Sequence, residues 1–293
     1  GSRLPLAVRG VRPLKPLAAR LPVASAQVKS ALLLAGLYAD GPVTVEEPSR
    51  SRDHTERMLE QFGAKVTVEE LKVTLVPGKE LESHPIRVPG DFSSAAFFLV
   101  AGSVLPDSEV TVGGVGVNPT RTGLIDVLEG MGAAITRSAL DNAGEPMASL
   151  TARSSSLRGL SLGGSLVPRL IDEITILAVA AALADGVTQV ADAGELRVKE
   201  SDRIQALGAE LGKLGADIEE RPDGFLIRGG APLRGTTVRS WGDHRMAMAL
   251  VIAGLAAAGE TVIEGAECIA TSYPEFLSML QGLVGPGFVE VEP

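Results

Sequence analysis

An α/β fold assembled from one repeated unit is what this 293-residue chain predicts, and three observations predict it. Four Ala-rich, almost wholly apolar runs each open on a short polar cluster: 31–38 behind Ser25-Ala26-Gln27, 95–104 behind Asp91-Phe92-Ser93-Ser94, 174–184 behind Asp172-Glu173, and 246–258 behind Asp243-His244-Arg245. Each run ends in a Gly- or Asp-bearing turn and passes into a strand-like stretch. A second, amphipathic helix with a small-residue stop then follows, loosest in the last copy. Self-similarity of this kind fixes the fold first, because it places every polar cluster equivalently.

Taken in order, the apolar runs are too uniformly hydrophobic for surface helices and read as buried ones. The strands after them fall at 43–45, 109–112, 188–190 and 261–263. The second helices span 53–62, 122–131, 201–214 and 274–283. The first three stop at Gly63-Ala64, Gly132-Ala133 and Gly215-Ala216, where glycine supplies a left-handed closing residue. Alternating strands follow at 65–68 with 72–75, and at 217–219 with 224–228. Each unit reads strand, buried helix, strand, surface helix, then one or two strands.

Composition narrows the function classes. Acidic residues outnumber basic ones 36 to 27, a net charge of −9 that argues against a nucleic-acid partner. Aromatics are only 3 %, so alanine and leucine must fill the core, which suits closely packed helices. The longest apolar runs, near Ile174 and Met246, fall short of the roughly 20 residues a membrane span needs. Cys268 is the single cysteine and the three histidines are far apart in sequence, so no metal site is expected.

The basic residues that matter lie beside helix starts: Arg52 before 53–62, Lys199 and Arg203 flanking the start of 201–214, and Arg245 opening the fourth apolar run. A helix N-terminus carries unpaired N–H groups and a partial positive charge, so it is a natural anion seat. Arginine forks and lysine ammoniums there would hold phosphate or carboxylate, the alternative being ordinary capping and surface pairing. Asp172 heads a helix so apolar that an idle charge would be costly; it is either a proton-transfer carboxylate or an N-cap. Glu200, between Lys199 and Ser201, is poised for proton exchange or is a solvated helix start. His244 is a proton donor or a group that orients its neighbours. Asp91 to Ser94 reads as a cap and hinge, and Arg121 as a turn residue in solvent.

Seven stretches, in order along nearly the whole chain, together resemble the 5-enolpyruvylshikimate-3-phosphate synthase family. They are Leu21-Pro22-Val23-Ala24-Ser25-Ala26-Gln27-Val28-Lys29-Ser30, Ser51-Arg52-Asp53-His54-Thr55-Glu56, Gly90-Asp91-Phe92-Ser93-Ser94-Ala95-Ala96, Asp172-Glu173, Arg197-Val198-Lys199-Glu200-Ser201-Asp202-Arg203, Gly242-Asp243-His244-Arg245-Met246-Ala247-Met248-Ala249, and Ala270-Thr271-Ser272-Tyr273-Pro274-Glu275-Phe276. The Ser-Ala-Gln triplet, Glu195 and Thr271 resemble its bacterial class II branch. The resemblance implies a two-domain enolpyruvyl transferase-like fold of βαβαββ units with helices at the centre. It implies attack of the shikimate 3-phosphate 5-hydroxyl on C2 of phosphoenolpyruvate and loss of phosphate, without metal or organic cofactor. Ser25, Ala26, Gln27, Arg52 and Lys199 would then contact shikimate 3-phosphate, with Gln27 also toward phosphoenolpyruvate. Arg203 and Arg245 would clamp phosphoenolpyruvate. Asp172 would take the hydroxyl proton and Glu200 handle the methylene proton, with His244 beside them.

The family's opening segment has no counterpart here. Residues 1–87 are therefore expected to be a partial N-terminal domain on the shikimate 3-phosphate side, and 88–293 a C-terminal domain with the catalytic carboxylates. On this reading the polypeptide alone is inactive or nearly so, a complementing N-terminal fragment is a candidate partner, and apolar helix surface such as 31–38 is exposed. A cytoplasmic location is expected. Two alternatives stand beside this: a UDP-N-acetylglucosamine enolpyruvyl transferase relative, and a non-catalytic anion-binding half of a split enzyme.

Overall fold

A computed structural model describes residues 6–141, 144–285 and 287–291; the side chains of Leu140 and Asp141 lie outside the description. The chain forms two compact units, the first running to Val88 and including Gly144 and Glu145, the second taking up the chain from Pro89 and again from Pro146.

The first unit is one complete copy of the repeat. Strand β1 (Leu17–Arg20), helix α1 (Ala26–Gly36), β2 (Val43–Glu46), α2 (His54–Gln61), β3 (Lys65–Glu69) and β4 (Lys72–Val76) follow in order. The sheet runs β1-β2-β4-β3, with β1 parallel to β2 and the other neighbours antiparallel. The crossover through α1 makes the first pair parallel, and the hairpin β3–β4 closes the unit.

The second unit repeats the pattern. Helix α3 (Phe92–Val104), β5 (Glu109–Gly116), α4 (Gly123–Gly130), β6 (Ala134–Asp141) and β7 (Met147–Arg153) give a sheet ordered β5-β7-β6. A parallel bridge from Gly90 to Val115 stands where the opening strand would be. Next come β8 (Ser161–Leu162), α5 (Ile174–Leu183), β9 (Val187–Val190), α6 (Arg203–Lys213), β10 (Asp217–Arg221) and β11 (Gly224–Arg228). Their sheet, β8-β9-β11-β10, has the strand order of the first unit. Last are β12 (Thr237–Arg239), α7 (His244–Ala256), β13 (Val262–Glu264) and α8 (Phe276–Val284), with β12 parallel to β13.

The small-residue stops do the same work three times. Gly63, Gly132 and Gly215 all have positive φ, and the following alanines donate to the carbonyls of Leu59, Leu128 and Leu211. This is a Schellman closure, which turns the chain sharply from helix into strand.

Helices α3, α5 and α7 pack on one another at the centre of the second unit. In α5 every residue from Ile174 to Ala182 is buried, and α3 and α7 are nearly as enclosed. The first copy is the exception, and apolar surface along 31–38 is exposed there as expected. Only Lys29, Leu33 and Gly36 of α1 are buried, while Val28, Leu34 and the following Tyr38 are exposed. The physical reason is partner number: α3, α5 and α7 share a core with one another, whereas α1 packs within its own unit on one face, against β2 and β4. Helices α1 and α7 also begin earlier than the apolar runs, so Ala26, Gln27, His244 and Arg245 are first-turn residues.

Candidate active site

In the first unit Ser25 caps α1, its hydroxyl accepting from Val28 N at 3.4 Å. Ala26 and Gln27 follow on the first turn, Gln27 exposed with Oε1 3.5 Å from the Ser25 hydroxyl. Arg52 is half-buried just before α2. Asp53 stands at the N-cap of α2 but makes no capping bond with its side chain, which pairs instead with Arg57 at 2.9 Å and Arg50 at 3.3 Å.

In the second unit the polar starts of α3, α5 and α7 meet. Asp91 caps α3 through Ser94 N at 2.8 Å. A short 3-10 turn, Ile171–Glu173, leads into α5. Asp172 is therefore not the N-cap of that helix; Glu173 holds that position without capping it. The Asp172 carboxylate is largely enclosed, with Lys199 Nζ at 3.9 Å and Arg121 Nη2 at 3.7 Å. Its backbone carbonyl accepts from Arg245 Nη1 at 3.0 Å. Lys199 also bonds the exposed carboxylate of Glu195, one helical turn away.

Asp243 caps α7, accepting from the backbone N of Arg245 at 2.9 Å and of Met246 at 3.4 Å. The same fully buried carboxylate holds Arg203, whose Nε lies 2.8 Å away, and accepts from Ser201 Oγ at 3.1 Å. Burial pushes the Asp243 pKa up, but Arg203 and the backbone N–H of Arg245 outweigh it and hold the group below the usual aspartate value. Burial, then the charge of Arg245, pushes the His244 pKa below the ordinary histidine value. The imidazole is thus neutral at pH 7 and suits hydrogen bonding better than proton donation from a charged form.

Three expectations change here. Glu200 pairs with Arg203, at 2.6 Å, while Lys199 is drawn to Glu195 and Asp172. The i,i+3 spacing across the start of α6 brings Arg203 back over Glu200. Arg203 is itself 1 % exposed, with Nε and Nη2 committed to protein carboxylates. Only its buried Nη1 has no partner among the described residues. Arg121 is not in solvent. It is 8 % exposed, donating from Nη1 to Glu173 Oε2 at 2.6 Å and from Nη2 to the Ser93 hydroxyl. Burial opposes its charge, but Glu173 first and Asp172 next keep its pKa raised.

Arg121, Glu173 and Ser93 thus form a buried layer beside Asp172 to which sequence reasoning gave no such part. The available signal was Glu173 itself, a second carboxylate at the head of an apolar helix that demands a buried cation. An open groove of about 630 Å³ lies elsewhere, lined by Glu210, Lys213, Arg239 and Trp241. Its central carboxylate, Glu210, is already taken by the Trp241 indole, Arg239 N and Lys213. The helix-start cluster differs in that Lys199, Arg121 and Arg245 gather there around Asp172.

The model of the EPSP synthase (3-phosphoshikimate 1-carboxyvinyltransferase) family matches residues 1–280. The chain belongs to the EPSP synthase family. It is 56 % identical over 290 residues to the 3-phosphoshikimate 1-carboxyvinyltransferase of Synechococcus elongatus, covering 97 % of this chain and 64 % of that one. The Geobacter sulfurreducens enzyme of the same name is 54 % identical, with 96 % and 65 % covered. The chain thus spans about two thirds of the length of these curated relatives, slightly less in each case. Its structure matches EPSP synthase from Acinetobacter baumannii with a TM-score of 0.87 at 41 % identity, over 96 % of this chain and 64 % of that one. The enolpyruvyl transferase NikO from Streptomyces tendae, 21 % identical with a TM-score of 0.72 over 92 % of this chain and 64 % of its own, shows the shared fold alone. The EPSP synthase match goes against the UDP-N-acetylglucosamine alternative.

Proposed function

We propose that this EPSP synthase family chain carries the proton-transfer and phosphoenolpyruvate-binding groups of an enolpyruvyl transfer to shikimate 3-phosphate. The observation that supports it best is the enclosed Asp172 carboxylate set between Lys199 and Arg121, with Arg245 on its carbonyl. The substrate 5-hydroxyl adds to C2 of phosphoenolpyruvate: an O–C2 bond forms, the hydroxyl proton passes to Asp172, and the methylene carbon takes a proton from Glu200. The C2–O bond to phosphate then breaks, Glu200 takes a proton back from the methyl carbon as the new methylene forms, and the proton held by Asp172 leaves with the phosphate. Lys199, Arg245 and the free arm of Arg203 would hold the anionic groups and offset charge developing on the phosphate. His244, neutral at pH 7, serves as a hydrogen-bonding neighbour.

The Ser25, Ala26, Gln27 and Arg52 groups are assigned to the shikimate 3-phosphate side, on the resemblance and on their place at helix starts. Residues through about Arg87 would be the shikimate 3-phosphate side, and those from Val88 onward would carry the proton-transfer carboxylates. A complementing N-terminal fragment and a cytoplasmic setting belong to the same reading. No described helix is long and apolar enough to cross a membrane.

The test is a phosphate-release assay with both substrates. It is run on the chain alone and together with a fragment covering the third of a relative that this chain does not span. Release is expected in the supplemented mixture, much slower from the chain alone, and lost on Asp172→Asn. No release in either mixture, or release unchanged by Asp172→Asn, would contradict the assignment. Calorimetric binding of shikimate 3-phosphate without any turnover would favour a non-catalytic anion-binding module.

A further inference from the structure

Glu173 has no assigned task, yet it is among the most enclosed side chains of the cluster. Its side chain is fully enclosed and both oxygens are committed. Oε1 accepts from the Ser93 hydroxyl of α3 at 2.7 Å and faces Arg245 Nη1 of α7 at 3.6 Å. Oε2 takes Arg121 Nη1 at 2.6 Å, from the turn before α4. One carboxylate therefore gathers groups from three central helix starts and from a fourth element. Two arginines around one buried carboxylate is a geometry with few alternatives, since each guanidinium is planar and always charged. The arginines it fixes are the two that reach Asp172: Arg121 at its carboxylate and Arg245 at its carbonyl.

We infer that Glu173 is the positioning residue of this site. It sets Arg245 for the phosphoenolpyruvate anion and, through Arg121, sets the Asp172 carboxylate. The inference rests on the proposed function for the identity of the ligand, not for the geometry. Glu173 does not reach the rim of the site, so it touches no substrate; it acts through the two guanidiniums. The hydroxyl of Ser93 completes the arrangement by fixing the rotamer of Glu173 while also accepting from Arg121.

The test is a double-mutant cycle in the full chain, read by calorimetric titration with phosphoenolpyruvate and by kcat and KM in the phosphate-release assay of the supplemented mixture. Glu173→Gln is expected to weaken phosphoenolpyruvate about ten-fold when Arg245 is present, and less than about two-fold in an Arg245→Ala background. It should lower kcat about 100-fold with the KM for shikimate 3-phosphate within about three-fold, as misplacement of a reacting group by an ångström does. Glu173→Asp, which keeps the charge, should recover part of the loss. Ser93→Ala leaves both arginine–carboxylate contacts in place and guards against a folding failure; it should move the same quantities by about three-fold.

Equal weakening by Glu173→Gln in both backgrounds is the signature of a general structural defect and overturns the inference. Unchanged binding and kcat in both Glu173→Gln and Ser93→Ala overturn it too. If Arg245→Ala and Asp172→Asn are damaging while the Glu173 variants are not, the proposed function stands and this inference alone falls. A parent chain that neither binds phosphoenolpyruvate nor releases phosphate removes both.

Discussion

Lys29 and Glu173 are buried charges built in opposite senses. In the first unit one ammonium sits between two carboxylates, Glu47 at 2.8 Å and Glu56 at 2.7 Å, and every side chain of that trio is about 5 % exposed or less. In the second unit one carboxylate sits between two guanidiniums, and those lead outward to Asp172 and Lys199, which are partly accessible. The first arrangement is closed on itself. The second is connected to a surface where a ligand could act. The difference teaches that burial of charge alone does not mark a site; what marks it is a route from the buried charge to an accessible one.

The comparison breaks most sharply through Lys29. Lys29→Met leaves two buried carboxylates together and is expected to cost about 3–5 kcal/mol in urea unfolding of the first unit. Adding Glu47→Gln and Glu56→Gln should recover much of this. A loss below about 1 kcal/mol would show that the trio is not the closed structural device described here. Asp243→Asn strands buried Arg203 and should destabilise the second unit by about 3 kcal/mol, while abolishing any turnover.

Next in size is core packing. Leu177→Ala in buried α5 should cost about 2–5 kcal/mol, whereas Leu34→Glu on the exposed face of α1 should stay within about 0.5 kcal/mol by thermal unfolding. Comparable losses at the two positions would mean that α1 is covered in solution.

Acid titration sharpens the account with smaller effects. The folded pKa of Asp243 is lowered, so its contribution is fully present above the ordinary aspartate value and is lost as pH falls through the lowered one. His244 has the opposite consequence. With its folded pKa depressed, the unfolded chain binds the extra proton first, so stability rises with pH from the depressed value up to about 6.5. An imidazole NMR titration with a midpoint at or above about 6.5 would contradict this, as would a stability slope in that window unaffected by His244→Gln.

The repeat was legible in the chain because its signals are local. Uniform apolarity over eight or more residues and a Gly-Ala stop recur at fixed places, and the stops at Gly63, Gly132 and Gly215 close identically. The meeting of polar starts follows from stacking equivalent units, so Asp172, Lys199 and Arg245 could be named together. What escaped were facts set by neighbours distant in sequence. Arg121 lies in a turn with no periodicity, and its burial depends on Glu173, 52 residues later. Helix α1 did not escape: exposure along 31–38 was expected, and the number of packing partners, not composition, separates its exposed face from buried α5. Glu200 with Arg203 was readable from i,i+3 spacing, but adjacency to Lys199 masked it.

The account depends on the starts of α5 and α7 forming one anion seat in the second unit. A crystal structure of the chain with phosphoenolpyruvate tests this most directly. The account predicts the ligand's anionic groups within hydrogen-bond distance of Arg245 and Lys199, beside Asp172. Phosphoenolpyruvate seated instead in the groove at Lys213, Arg239 and Trp241, with Arg245 still turned to Asp172 and Glu173, would contradict it.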